Sequence, residues 1–99
     1  MKIINIEIRC DVEDEVVTDL LNKICSNHLI AGANYIKTNS IEWVGGQLTQ
    51  KEITTISGIT SLELLCDIEE LLPKHCIITS VVGNKARSNE FEHWFSMHL

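Results

Sequence analysis

Four cysteines and four histidines are the side chains of this 99-residue sequence best suited to hold a metal ion. The cysteines, Cys10, Cys25, Cys66 and Cys76, include no Cys-x-x-Cys pair of the kind that anchors structural zinc. Free cysteine is also a common core residue, and all four are expected on or beside apolar faces. Among the histidines, His28 lies three residues after Cys25, so the two offer ligands from one helix end. His75 and Cys76 are adjacent, pointing to opposite faces of a strand, and His93 with Met97 falls at helical i, i+4 spacing. A soft or borderline divalent ion such as copper accepts this donor set, with His28, His75 and Cys76 as the expected metal residues. No single pair closes a site, which needs three or four ligands, and an assembly of three subunits could converge one histidine from each.

Paired carboxylates are the remaining chemical feature: Glu13-Asp14-Glu15, Glu69-Glu70, and Glu90 with Glu92. All fall at expected helix starts or solvated faces, where the helix dipole and solubility account for them. The sequence has no serine nucleophile elbow, no phosphate loop with its lysine and no His-Glu-x-x-His. It reads as a non-enzymatic protein.

The elements that must position these residues follow from the spacing of apolar side chains. Ile4, Ile6, Ile8 and Cys10 alternate with Asn5, Glu7 and Arg9, which predicts a strand over about Lys2 to Cys10, buried on one side. Val16, Val17, Leu20, Leu21, Ile24 and Cys25 then recur at helical spacing, predicting a helix from about Val12 to Ser26 with Asp11 accepting its first free amides. The stretches Leu29 to Ile36, Ile41 to Leu48 and Lys51 to Ile59 predict two or three strand segments, with Gly45-Gly46 as a hairpin turn. Thr60-Ser61-Leu62-Glu63 has the reciprocal capping pattern of a helix start, and Pro73 ends that helix. A last strand is expected over about His75 to Val82. A polar loop from Gly83 to Ser88 follows, then a short helix capped by Asn89 and Glu92 and carrying Phe91, Trp94 and Phe95.

The order β-α-β-β-α-β with a terminal helix predicts an α+β fold, a ferredoxin-like sandwich on an antiparallel sheet, as a single domain over residues 1–99. Both main helices cover one sheet face. The other face carries apolar residues that one terminal helix is too small to cover, so self-association is expected. A net charge of -6 argues against nucleic acid, whose phosphates need Lys and Arg. No apolar run approaches the roughly 20 residues of a membrane helix, and the amino-terminal residues alternate where a secretory signal would be continuously apolar. The expected location is cytoplasmic, with no membrane partner.

Leu29-Ile30-Ala31-Gly32-Ala33-Asn34-Tyr35-Ile36, Ser40-Ile41-Glu42-Trp43-Val44-Gly45-Gly46, the strand Glu52 to Thr60, and Asn89-Glu90-Phe91-Glu92-His93-Trp94-Phe95 together resemble the CutA divalent-cation-tolerance proteins. The resemblance spans nearly the whole chain. It implies a ferredoxin-like subunit assembled as a homotrimer, related in architecture to PII signalling proteins, with an intersubunit cleft and a role in tolerance of copper and other divalent metals. Asn34, Trp43 and Trp94 are then the expected cleft or cofactor-binding residues, Trp43 either lining the cleft or packing on a partner subunit. Where the family commonly has a cysteine, this chain has Gly32, and where it has a tyrosine before the tryptophan, this chain has Glu42. An alternative expectation is a PII-like regulatory module that binds a nucleotide or an unidentified protein partner. The short Gly45 to Glu52 segment and the few Arg and Lys stand against it.

Overall fold

The computed structural model describes residues 2–85 and 88–99. Its elements run β1 (Ile3–Cys10), α1 (Asp14–Ser26), β2 (Gly32–Val44), β3 (Gln47–Ser61), a 3-10 turn (Leu62–Leu64), α2 (Leu65–Leu71), β4 (Cys76–Gly83) and α3 (Asn89–His98). The four strands form one antiparallel sheet in the order β2-β3-β1-β4. This is the expected α+β ferredoxin-like arrangement.

Alternation in β1 decides which face is which. Ile4, Ile6, Ile8 and Cys10 are buried and meet Thr60, Gly58, Ile56 and Thr54 of β3 in register. Against this face pack Val17, Leu20 and Ile24 of α1 and Ile68 of α2, forming the main core. Gly58 is required there, because a Cβ at that position would lie 2.1 Å from Ile30 Cδ1 and 3.1 Å from the Gly32 carbonyl oxygen. On the opposite face α3 covers one end only, where Phe95 packs with Ile3 and Ala31, flanked by Ile59, Phe91 and Trp94.

Several local expectations are corrected. The first helix starts at Asp14, and its N-cap is Glu13 with no side-chain cap bond. Asp11 instead accepts from Lys51 Nζ at 2.8 Å, which ties the turn after β1 to β3. Thr60 does not cap a helix: β3 runs on through Ser61, Thr60 Oγ1 donates to the Leu29 carbonyl at 2.5 Å, and α2 begins only at Leu65. The third helix is capped by Ser88, whose hydroxyl accepts from the Phe91 amide at 3.1 Å, in place of Asn89. Within the expected Gly83 to Ser88 loop, Ala86 and Arg87 lie outside the described residues. Cys25 and Cys66 are exposed, so the core reading holds for Cys10 and Cys76 alone.

The apolar stretches after α1 become a single long hairpin. Val44 pairs with Gln47 around Gly45 and Gly46, both at positive φ (56° and 80°), as a two-residue type I′ turn requires. Pairing of β3 with β1 ends at Thr54, so the hairpin beyond Lys37 and Thr54 projects without a third strand. The radius of gyration reflects this arm. It is 14.7 Å, against about 13 Å for a compact chain of this length.

Candidate functional site

The polar side of β1 reappears as the floor of a cleft. Asn5 and Glu7 of β1, Ser57 and Ile59 of β3, and Gly32 and Asn34 of β2 line an open cavity of about 600 Å³, with Trp94 of α3 as a wall. The register explains the grouping, since Asn5 stands opposite Ile59, Glu7 opposite Ser57, and Ser57 opposite Asn34. Trp94 reaches the sheet because residue 32 has no side chain: a Cβ there would sit 3.2 Å from Trp94 Cη2. The ring is held by Phe91 at 6.0 Å and His98 at 4.7 Å between centroids. Asn5 Oδ1 accepts from Asn84 Nδ2 at 3.3 Å. Glu7 supplies the lining's one carboxylate, and the lining contains no histidine or cysteine. The cleft can hold a small molecule by hydrogen bonds and ring contact.

Two of the three expected cleft residues, Asn34 and Trp94, are brought together here. Trp43 is not among them. It stands near the tip of the hairpin arm, 74% exposed, directly opposite Leu48 and on the same face as Ile41, both also exposed. Asn5, Glu7 and Ser57 were missed as cleft residues. Alternation placed Asn5 and Glu7 on the polar face of β1, but only the register shows which strands they face.

The metal candidates are dispersed. His28 follows α1, with φ at 55°, and the bonds from Leu29 N to Ile24 O and from His28 N to Cys25 O make a Schellman ending in which residue 28 takes the position glycine prefers. His75 has φ at 72° in the turn closed by Cys76 N to Pro73 O, the third position of a type II turn and again a glycine position. Both side chains are exposed. They stand near opposite ends of α1, whose 13 residues span roughly 20 Å. Cys76 is buried beside Cys10. Among the described residues no three His, Cys, Asp or Glu side chains gather in a way that could hold a metal ion. A single subunit therefore does not fit the metal ion that the sequence resemblance implies.

Charge pairs tie the arm back to β1 and the turn after it. Arg9 Nη2 donates to both Glu42 oxygens, at 2.6 and 2.5 Å, and Ser40 Oγ donates to Glu42 Oε2 at 2.6 Å. The Ser40 and Arg9 bonds hold the Glu42 carboxyl below its ordinary range. Lys51 does the same for Asp11, helped by Arg9 and His75.

Comparison with solved structures matches this architecture from end to end. CutA1 from Oryza sativa superposes with a TM-score of 0.83 at 16% identity, over 99% of this chain and 94% of that one. The fold is that of CutA1. The Archaeoglobus fulgidus structure, described as a periplasmic divalent cation tolerance protein CutA, gives a TM-score of 0.81 at 15% identity over 97% of each chain. CutA1 from Ehrlichia chaffeensis, a divalent ion tolerance protein, gives 0.81 at 18% identity, over 98% of this chain and 95% of that one. No protein-family model and no curated protein sequence matches the chain. The likeness to CutA1 thus lies in the backbone, and no described helix is long and apolar enough to cross a membrane.

Proposed function

We propose that the chain is one subunit of a homotrimeric, non-enzymatic CutA-like protein that acts in the cytoplasmic response to divalent cations, copper among them. The observation that carries this reading is the arm: a CutA1 fold whose hairpin holds Trp43, Ile41 and Leu48 with nothing among the described residues to cover them. Ile77, Val81 and Val82 on the edge strand β4 are exposed in the same way. Apolar edges of this kind are sites for strand or side-chain packing by another copy. A neighbour's arm would also close the open side of the cleft, where Asn34 and Trp94 would hold a small effector and Trp43 would pack between subunits.

The metal part of the proposal needs ligands from more than one chain, because one subunit does not gather them. His28 and His75 are solvent-facing imidazoles that copies could bring together, whereas Cys76 lies beneath the sheet. Calorimetric titration of the assembled protein with Cu(II) and with Zn(II) tests this. Either His28→Ala or His75→Ala is expected to weaken binding at least tenfold, and an affinity unchanged in both variants removes the metal role while leaving the assembly untouched.

A further inference from the structure

Cys10 and Cys76, remote in sequence, are direct partners across β1 and β4. The Asp11 amide donates to the His75 carbonyl at 3.0 Å, so the Asp11 and His75 positions are the hydrogen-bonded pair at this end of the ladder. The cysteines one step inward are therefore a non-hydrogen-bonded pair, in which Cα atoms approach to about 4.5 Å and side chains point at each other. That separation lies inside the range of about 4.4 to 6.8 Å that a disulfide spans without backbone movement. Both side chains are buried on the core face of the sheet, at 0% exposure for Cys10 and 4% for Cys76. We propose that Cys10 and Cys76 are a reversible disulfide pair, oxidised by exchange with small-molecule disulfides, that fastens edge strand β4 to the centre of the sheet.

Position decides which sulfur reacts first. Cys76 opens the edge strand β4 directly after the exposed His75 turn, while Cys10 lies at 0% exposure between β3 and β4. Strand ends at a sheet edge open locally at low free energy, which gives Cys76 its access. The Cys76 thiolate attacks one sulfur of a glutathione disulfide, the S–S bond breaks, and one glutathione thiolate leaves with a proton from solvent. The Cys10 thiolate then attacks the Cys76 sulfur and expels the second glutathione. Two protein thiols and one small-molecule disulfide become one protein disulfide and two small-molecule thiols, with no other oxidant. Burial, followed by the bond to Cys76, pushes the Cys10 thiol up to about 12, and burial raises Cys76 as well. The closed pair thus stays reduced, and exchange waits on opening of the β4 end.

The test uses the full chain carrying Cys25→Ser and Cys66→Ser, which removes the exposed thiols. It is equilibrated in non-denaturing buffer with oxidised and reduced glutathione at several ratios, then alkylated and peptide-mapped. The expected product is a Cys10–Cys76 cross-link with no glutathione retained, reversed by excess reduced glutathione. The oxidised form should have a higher melting temperature and slower amide exchange in β4. In the same background Cys76→Ala should form no cross-link, and Cys10→Ala should stop at the glutathione adduct on Cys76. Thiols that remain free in the folded chain, an adduct at Cys76 that Cys10 never resolves, or cross-linking only in denaturant would each overturn the proposal.

Discussion

Two histidines occupy backbone positions that favour glycine, and each does so at a cost. A left-handed conformation costs an L-residue about 1–2 kcal/mol, while glycine gives back about 0.5–1 kcal/mol in lost chain freedom. His28→Gly, at φ 55°, is therefore expected to raise unfolding free energy by roughly 0.5–1 kcal/mol, as read by urea titration. Gly58→Ala acts in the opposite direction. Its new methyl group meets Ile30 and the Gly32 carbonyl in a closed core, and a loss of about 1–3 kcal/mol is expected in the same measurement. Glu42 and Asp11 set an acid limit. Both carboxyls titrate below their ordinary range, so the stability they add is complete above the unfolded value and disappears as pH falls through the depressed folded value. Denaturation midpoints should drop below about pH 4, and Glu42→Gln should flatten that drop. An unchanged pH profile in the variant would show that the Arg9 and Ser40 bonds contribute nothing to folding. These residue-scale features were only partly legible in the sequence. A histidine carries no sign that it will sit at positive φ, and Cys10 and Cys76 become partners only once β1 and β4 are paired in register.

At the scale of elements, legibility followed how local the deciding interaction is. β1 was plain from its alternation, and the hairpin turn from Gly45-Gly46, because one burial face and one turn type fix them. The start of α2 was not. Thr60 and Glu63 have the spacing of a capping pair, but the Thr60 hydroxyl bonds the Leu29 carbonyl across the sheet end, and the β3 ladder continues through Ser61. Asp11 misled for a similar reason, its carboxylate being taken by Lys51 on β3. Tertiary partners outbid local caps in both cases. Asn34 and Trp94, both named from the sequence resemblance, line one cavity of the subunit, while the part of Asn5, Glu7 and Ser57 in it depends on strand order. The arm carries its own prediction. Trp43→Ser removes a side chain that touches little within the subunit, so the subunit's fold should survive by circular dichroism, while dissociation of the assembly should strengthen roughly thirtyfold, the equivalent of about 2 kcal/mol for a central interface tryptophan.

At the scale of the whole molecule, the sheet has one well-covered face and one that α3 covers only at the Ile3 end. The cleft, the arm and the β4 edge all lie where that cover fails, so the proposed ligand binding and the proposed assembly would share one surface. The proposed divalent-cation site would take donors from separate copies, because among the described residues of one subunit no three candidate ligands gather. The proposed function therefore depends on association of copies. Size-exclusion chromatography with light scattering at micromolar concentration measures it directly: the predicted mass is about three times the 11.2 kDa of the chain, falling in the Trp43→Ser variant. A stable species of 11.2 kDa with Trp43 fluorescing as a fully hydrated indole would contradict it.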